Sequence, residues 1–285
     1  MLNYFSSIAG LALCGLSKGP AVPRGFRVIR KLGQGGMGVV YEAYDESLQR
    51  QVAVKKLRDD ISSDPSDRES LLEEARTVAS LRHPNIIEIY SLIEHRGGLY
   101  LVFEYVDGLT LDKVMDPRRR LYPQEALCYL RQIASALDYA HSKGVVHQDL
   151  KPSNIMVADG IVKIMDFGIA RRVDDLALAC ADKVRGTAAY MAPEQEVGGA
   201  IKASDLYSLG VCLYEMLAGR GPFKNVASYF QKIECNYRPL SELEPALPPG
   251  IDEILSTALN PFPERRYPTA GALLADLERV LGSCA

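Results

Sequence analysis

An α+β fold in two segregated lobes is what the sequence predicts, and three observations predict it. Alternating hydrophobic runs crowd into the first hundred residues around one helical stretch, helical periodicity dominates the remainder, and no internal repeat or low-complexity tract interrupts either part. At 285 residues the chain is one large domain or two small ones. A chain of that size buries roughly 75% of its unfolded surface, so it needs no disulfide or metal staple.

The elements follow in order. Residues 1–16 carry no charged side chain and are rich in Leu, Ile, Ala and Phe. They are too short and too broken by Ser and Gly for a bilayer span, and they lack the basic residues that open a signal peptide. A packed or frayed amphipathic segment is expected there, with membrane association through residues 1–16 as the alternative. Pro20 and Pro23 break the chain before Gly25. Residues 26–32, 39–44 and 50–57 then read as strands, with a turn over 33–38 between the first two. Residues 67–81 switch to helical spacing, placing Leu71, Leu72, Ala75, Val78 and Leu81 on one face. Pro84 ends that helix, and residues 86–94 and 99–105 read as two more strands. Beyond a turn at 106–108, helices are expected over 124–142, 204–218, 227–234, 251–259 and 270–281, with short β pieces at 155–157 and 162–164.

Charge and cysteine usage exclude some functions. Thirty-three Lys and Arg against 36 Asp and Glu give a net charge of -3, without the basic excess that phosphate-backbone binding needs, so no nucleic-acid partner is expected. Six cysteines stand singly, with no CxxC spacing, which disfavours a zinc site or a disulfide framework and suits a reducing compartment.

Between the first two strands lies a G-x-G-x-x-G run formed by Gly33, Gly35 and Gly38, with Gly36 inside it. Glycine lets backbone N–H groups approach phosphate oxygens with no Cβ in the way. A strand follows the run rather than a helix, and no Gly-Lys-Ser/Thr closes it, so neither a dinucleotide fingerprint nor a Walker A loop is indicated. Lys55 sits inside the apolar strand Val52-Ala53-Val54, where an ammonium needs a counter-charge or a ligand phosphate. Glu74 on the following helix is the natural partner, because helical phase turns Glu73 to solvent. The densest polar segment is His147-Gln148-Asp149-Leu150-Lys151-Pro152-Ser153-Asn154, followed by Asp166-Phe167-Gly168.

With these motifs in this order the sequence resembles the eukaryotic-type Ser/Thr protein kinases, especially bacterial members, over residues 26–281. The resemblance implies one catalytic unit after an extension at 1–25, with an N-lobe at 26–106, a C-lobe at 107–281 and the site between them. It implies Asp149 as the carboxylate that takes the substrate hydroxyl proton and Lys151 as the charge opposing the transferring phosphoryl. Asn154 and Asp166 would hold magnesium, with manganese as a substitute, and Lys55 would contact ATP while paired to Glu74. Leu32, Gly33, Gly35, Gly36 and Gly38 would cover the phosphates. Val40, Ala53 and Met156 would sandwich adenine, Glu104 and Val106 would form the hinge, and Phe103 the gatekeeper. Val78, Ile89, His147 and Phe167 fall on an apolar spine.

Further along, residues 186–194 look like the substrate loop ending in Ala192-Pro193-Glu194, with Glu194 paired to Arg266 and Asp205 bound to the catalytic-loop backbone. Lys151 and Thr187 favour Ser/Thr protein substrates over tyrosine, and the full substrate loop disfavours a small-molecule phosphotransferase. Gln148 stands where most members carry arginine, and residues 169–186 contain no Ser, Thr or Tyr. Activity without activation-loop phosphorylation is therefore expected, in a cytoplasmic setting. A scaffold of the pseudokinase kind is the alternative, opposed by the presence of Lys55, Glu74, Asp149, Asn154 and Asp166 together.

Overall fold

The structure, a computed structural model, describes residues 22–35, 38–58, 65–115, 120–167, 188–223 and 229–282. Five antiparallel strands form the first sheet: β1 (Phe26–Gly35), β2 (Gly38–Asp45), β3 (Arg50–Leu57), β4 (Ile89–His95) and β5 (Gly98–Glu104), in the order β1-β2-β3-β5-β4. Period-two alternation splits β3 between two environments. Val52 and Val54 pack with Ala43, Tyr100 and Val102 on one face. Leu57 and Leu101 face the other way and join Leu71, Ala75 and Val78 of α1 (Pro65–Ala79). Helical phase decides the two adjacent acids as expected: Glu73 is exposed and Glu74 is half-buried beside Ala75.

Two expectations for this sheet need correction. The turn over 33–38 is shorter than the glycines suggest, because Gly33 pairs with Val40, Gln34 with Val39 and Gly35 with Gly38, so the ladder runs nearly to the tip. Register shifts between Val28 and Arg30 and between Lys31 and Gly33 keep that pairing on a bent strand. Gly38 is obligatory: its φ is 149°, and a Cβ there would lie 1.9 Å from the Lys56 carbonyl oxygen. The strand expected over 86–94 begins only at Ile89, since Ile86 instead bridges Ile164 in parallel. Ile87 N donates to Ile164 O at 2.8 Å and Ile164 N to Asn85 O at 2.8 Å, so residues 85–87 fasten the first sheet to the second.

The second sheet is β6 (Leu109–Thr110), β7 (Ile155–Ala158) and β8 (Ile161–Ile164). The turn expected to end at 108 continues directly into β6 and α2 (Leu111–Met115). A two-residue strand carries no readable periodicity; β6 exists because Leu109 and Thr110 pair with Val157 and Met156.

The other helices are α3 (Pro123–Ser142), α4 (Pro193–Glu196), α5 (Lys202–Ala218), α6 (Tyr229–Ile233), α7 (Leu240–Leu243), α8 (Gly250–Ala258) and α9 (Ala270–Leu281). Pro123 opens α3, where its missing N–H costs nothing, and apolar residues at helical spacing from Ala126 to Ala140 bury one face. α5 is buried nearly all round and ends on Gly219 at φ 70°, whose N–H donates to Glu215 O at 2.8 Å. Gly210 lets α5 approach α8 closely, since a Cβ there would meet the Ala258 Cβ at 2.8 Å. Asp205 lies in the first turn of α5. The helix expected over 227–234 is only five described residues long.

Candidate active site

Residues 147–154 cross from α3 to β7 with no long regular element of their own, so their backbone N–H groups need partners. Asp205 supplies them. Its Oδ2 accepts from His147 N at 2.8 Å and from His141 Nε2 at 2.7 Å, and its Oδ1 accepts from Gln148 N at 2.8 Å. Asp205 is 1% exposed, so these bonds are shielded from competing solvent. Gln148 adopts φ 70° and Asp166 φ 60°, left-handed backbone that a bulky residue keeps only when its surroundings over-determine it.

His147 joins the two motif segments. Its Nε2 donates to Met165 O at 3.0 Å, which leaves Nδ1 as the acceptor for Asp149 N at 3.2 Å. Its ring lies 4.6 Å from that of Phe167. Val78, Ile89, Phe103, Asp166 and Phe167 line one small hollow behind this point, so the apolar residues picked from the sequence converge in space.

The Asp149 carboxylate is bonded at both oxygens. Lys151 Nζ donates to Oδ1 at 3.0 Å and to Oδ2 at 2.8 Å, and Asn154 Nδ2 donates to Oδ2 at 3.0 Å and to the Asp149 carbonyl at 2.8 Å. Across the cleft, Lys55 Nζ donates to Asp166 Oδ1 at 2.7 Å, uniting residues 111 positions apart. Burial pushes the Asp166 carboxyl up, but the Lys55 charge and hydrogen bond outweigh it and hold the group below the usual carboxylate range. Glu74 lies half-buried on the inner side of α1, beside residues that pack on β3.

Of the residues that the resemblance assigns to a nucleotide cleft, three share a face of the first sheet. Val40 pairs with Lys55 and Glu42 with Ala53 across β2 and β3, so Val40, Ala53 and Lys55 point to one side, with Leu32, Gly33, Gly35 and Gly38 beyond them. Met156, on the second sheet, is half-buried. Glu104 ends β5 with its N–H committed to Glu88 O at 2.9 Å and its carboxylate bound to Lys163 at 2.7 Å; Val106 follows, half-buried. Gly36, Gly168, Thr187 and the whole stretch 169–186 lie outside the described residues, as do residues 1–21.

The donor set suits a hard divalent cation. Asp166 and Asn154 offer carboxylate and amide oxygens beside the cleft, and magnesium is commonly held by one or two protein oxygens with the rest from phosphate and water. Among the described residues no cluster of three or more His, Cys, Asp or Glu could hold a metal by itself.

At the far end of the site Glu194 and Arg266 form the predicted pair in bidentate form, Nη1 to Oε1 at 2.7 Å and Nη2 to Oε2 at 2.8 Å. Ser204 Oγ donates to Glu194 Oε1 at 2.7 Å, and Arg266 also donates to Ala203 O at 2.8 Å and Asn260 O at 2.7 Å. Burial raises the Glu194 pKa, yet the hydrogen bonds from Arg266 and Ser204 prevail and it lies below 4.5. A depressed carboxyl contributes stability that is present above its ordinary pKa and lost as pH falls through its folded one. Glu194→Gln leaves the buried Arg266 side chain with no counter-charge and is expected to cost about 3 kcal/mol at pH 7. The gap to wild type should shrink below pH 4.5, as read by urea unfolding at pH 7 and in that acid range; a pH-independent gap contradicts this.

An N-terminal sheet backed by one helix, a helical second lobe and a lysine–aspartate pair facing a bonded aspartate loop define a bilobal nucleotide-cleft domain. The comparisons give the family: the chain belongs to the protein kinase domain family, which matches residues 26–276. It is 42% identical over 261 residues to a probable serine/threonine-protein kinase of Streptomyces coelicolor, covering 88% of this chain and 39% of that protein. It is 38% identical over 258 residues to the serine/threonine-protein kinase PrkC of Bacillus subtilis, covering 89% and 40%. The chain thus spans about two fifths of the length of these relatives. Among solved structures, the kinase domain of PknI from Mycobacterium tuberculosis is 28% identical with a TM-score of 0.75, covering 94% of this chain and all of that one.

Several working residues escaped the sequence reading. Gln195 Nε2 donates to Gln148 O at 2.9 Å, tying α4 to the catalytic loop, and Lys163 binds Glu104 from β8. Lys232 is 0% exposed. None stands in a spaced motif, so no local signal could have marked them. Arg120 pairs with Glu244.

Proposed function

We propose that this chain is the catalytic domain of an ATP- and magnesium-dependent protein kinase acting on serine and threonine hydroxyls. The observation that carries the reading is the pairing of two carboxylates in opposite roles within one cleft. Asp149 is held by Lys151 and Asn154 at 2.8 to 3.0 Å, while Asp166 is held by Lys55 at 2.7 Å. Asp149 orients the substrate hydroxyl and accepts its proton as the oxygen–phosphorus bond forms and the bond from the γ-phosphorus to the β-bridging oxygen breaks, releasing ADP. Lys151 offsets charge on the γ-phosphoryl and Lys55 positions the α- and β-phosphates, with Glu74 behind it. Asp166 and Asn154 would hold the cation, which when bound neutralises charge developing on the phosphates. Leu32, Gly33, Gly35, Gly36 and Gly38 cover the phosphates and exclude water. Val40, Ala53 and Met156 enclose the adenine, with Glu104 and Val106 at the hinge.

The kinase-domain family and the names of the relatives support the protein substrate class. Rad53 residues 1–466, 26% identical to this chain with a TM-score of 0.74, were crystallised with AMP-PNP, a relative's use of an ATP-like ligand. The reading includes activity without a phosphorylated activation segment, because residues 169–186 hold no acceptor and Gln148 replaces the arginine that would receive a phosphate. It also places the domain in a cytoplasmic, ATP-containing compartment, consistent with free Cys128, Cys212 and Cys235. Among the described residues no helix is long and apolar enough to cross a membrane.

ADP release tests the reading. Turnover is expected with a generic protein substrate, is abolished by EDTA, and survives phosphatase treatment of the protein. Turnover with small hydroxyl compounds alone contradicts the substrate class, and loss after phosphatase, with the missing phosphate mapped to Thr187 or Tyr190, contradicts the activation claim.

A further inference from the structure

The segment that connects to α4 is held by a residue outside every motif. Lys232, on the short helix α6, has no exposed surface, an unusual place for an ammonium. All three of its donors are used: Nζ donates to Ala188 O, Met191 O and Glu196 Oε1, each at 2.6 Å. Between the two anchored carbonyls, Tyr190 O accepts from Ser208 Oγ at 2.9 Å, and the Tyr190 hydroxyl donates to Glu215 Oε2 at 2.5 Å. Residues 188–191 are thus clamped from α6 on one side and α5 on the other.

A buried ion pair is a poor device for stability alone, since an apolar side chain of equal volume would fill the space without the cost of desolvation. What an apolar replacement cannot do is bind two carbonyls three residues apart and a carboxylate simultaneously. We propose that Lys232 is a positioning residue for protein substrate, setting the backbone of residues 188–191, where the substrate chain lies against the domain. The inference rests on the protein-kinase reading above. None of the three groups that Lys232 binds belongs to a residue assigned to ATP or to the reacting atoms, so its effect falls on docking of the protein and not on the chemistry of transfer.

The test compares wild type, Lys232→Met and Lys232→Gln in the complete chain, by steady-state kinetics and by hydrogen–deuterium exchange. Lys232→Met keeps the volume and removes all donors. It should raise the KM for a generic protein substrate by about tenfold, with kcat and the KM for ATP within about twofold of wild type. Exchange in peptides covering 188–196 should speed up while that of α5 and α9 stays protected. Lys232→Gln keeps two N–H donors on a shorter stem and should give a smaller rise; it also serves if Lys232→Met does not fold. Unchanged exchange over 188–196 overturns the inference whatever the activity. Equal losses in kcat and in ATP affinity overturn it too, since they mark a general structural role. If wild type itself transfers no phosphate to protein, the functional reading fails, and that outcome is distinct from either of these.

Discussion

Asp149→Asn is expected to lower kcat by about a thousandfold while the KM for ATP and the melting temperature stay close to wild type. The substitution preserves shape. The introduced amide still accepts from Lys151 or Asn154 through its single oxygen, in place of the three side-chain contacts of 2.8 to 3.0 Å that now hold the Asp149 carboxylate. Lys151 keeps 19% of its side chain exposed, so solvent can reach its ammonium once the carboxylate is gone, unlike the fully buried Arg266. What disappears is the group that accepts the substrate proton, and positioned bases contribute about 10² to 10⁴ in rate. Lys55 and Asp166 are untouched, which is why nucleotide affinity should hold. Steady-state kinetics with a thermal melt on the same preparation check all three quantities. A large drop in melting temperature would reassign Asp149 to a structural role.

Asp205→Ala should combine both kinds of loss. Removing the carboxylate strands His147 N and Gln148 N in a buried region and deprives His141 of its partner. Each buried donor left unsatisfied costs about 1 to 3 kcal/mol, so a total of about 3 kcal/mol or more is expected in urea unfolding. The Gln148 amide that Asp205 holds belongs to a residue at φ 70°, so Asp149 should shift once that backbone is released. A displacement of about 1 Å at a catalytic group costs roughly a hundredfold in rate. Asp205→Asn retains one acceptor oxygen and should fall between wild type and Asp205→Ala. Normal stability with normal kcat in Asp205→Ala would show that the loop holds its shape unaided.

What the sequence made legible follows a physical division. Long amphipathic elements such as α3 and α9 were readable because one buried stripe repeats every three to four residues, and the strands because their alternation survives in the sheet. In the candidate site, Lys55 stood out as an ammonium in an apolar strand and Gly38 as part of a glycine run, whereas the roles of Asp149 and Asp166 came from the resemblance. Elements that exist only through partners were not readable. β6 depends on β7, Ile86 leaves its own strand to bridge Ile164, and the hairpin at Gly35 and Gly38 closes because of cross-strand pairing. Nothing in the sequence marks Lys163 or Lys232, and only the fold brings Glu104, Ala188, Met191 and Glu196 to them.

The central claim is that this cleft moves the γ-phosphoryl of ATP to a protein hydroxyl through Asp149. The most direct measurement incubates wild type and Asp149→Asn with magnesium, a generic protein substrate and ATP labelled at the γ-phosphorus, followed by phosphoamino-acid analysis. The account predicts phosphoserine and phosphothreonine with wild type and almost none with Asp149→Asn. Equal background labelling in the two proteins would contradict it.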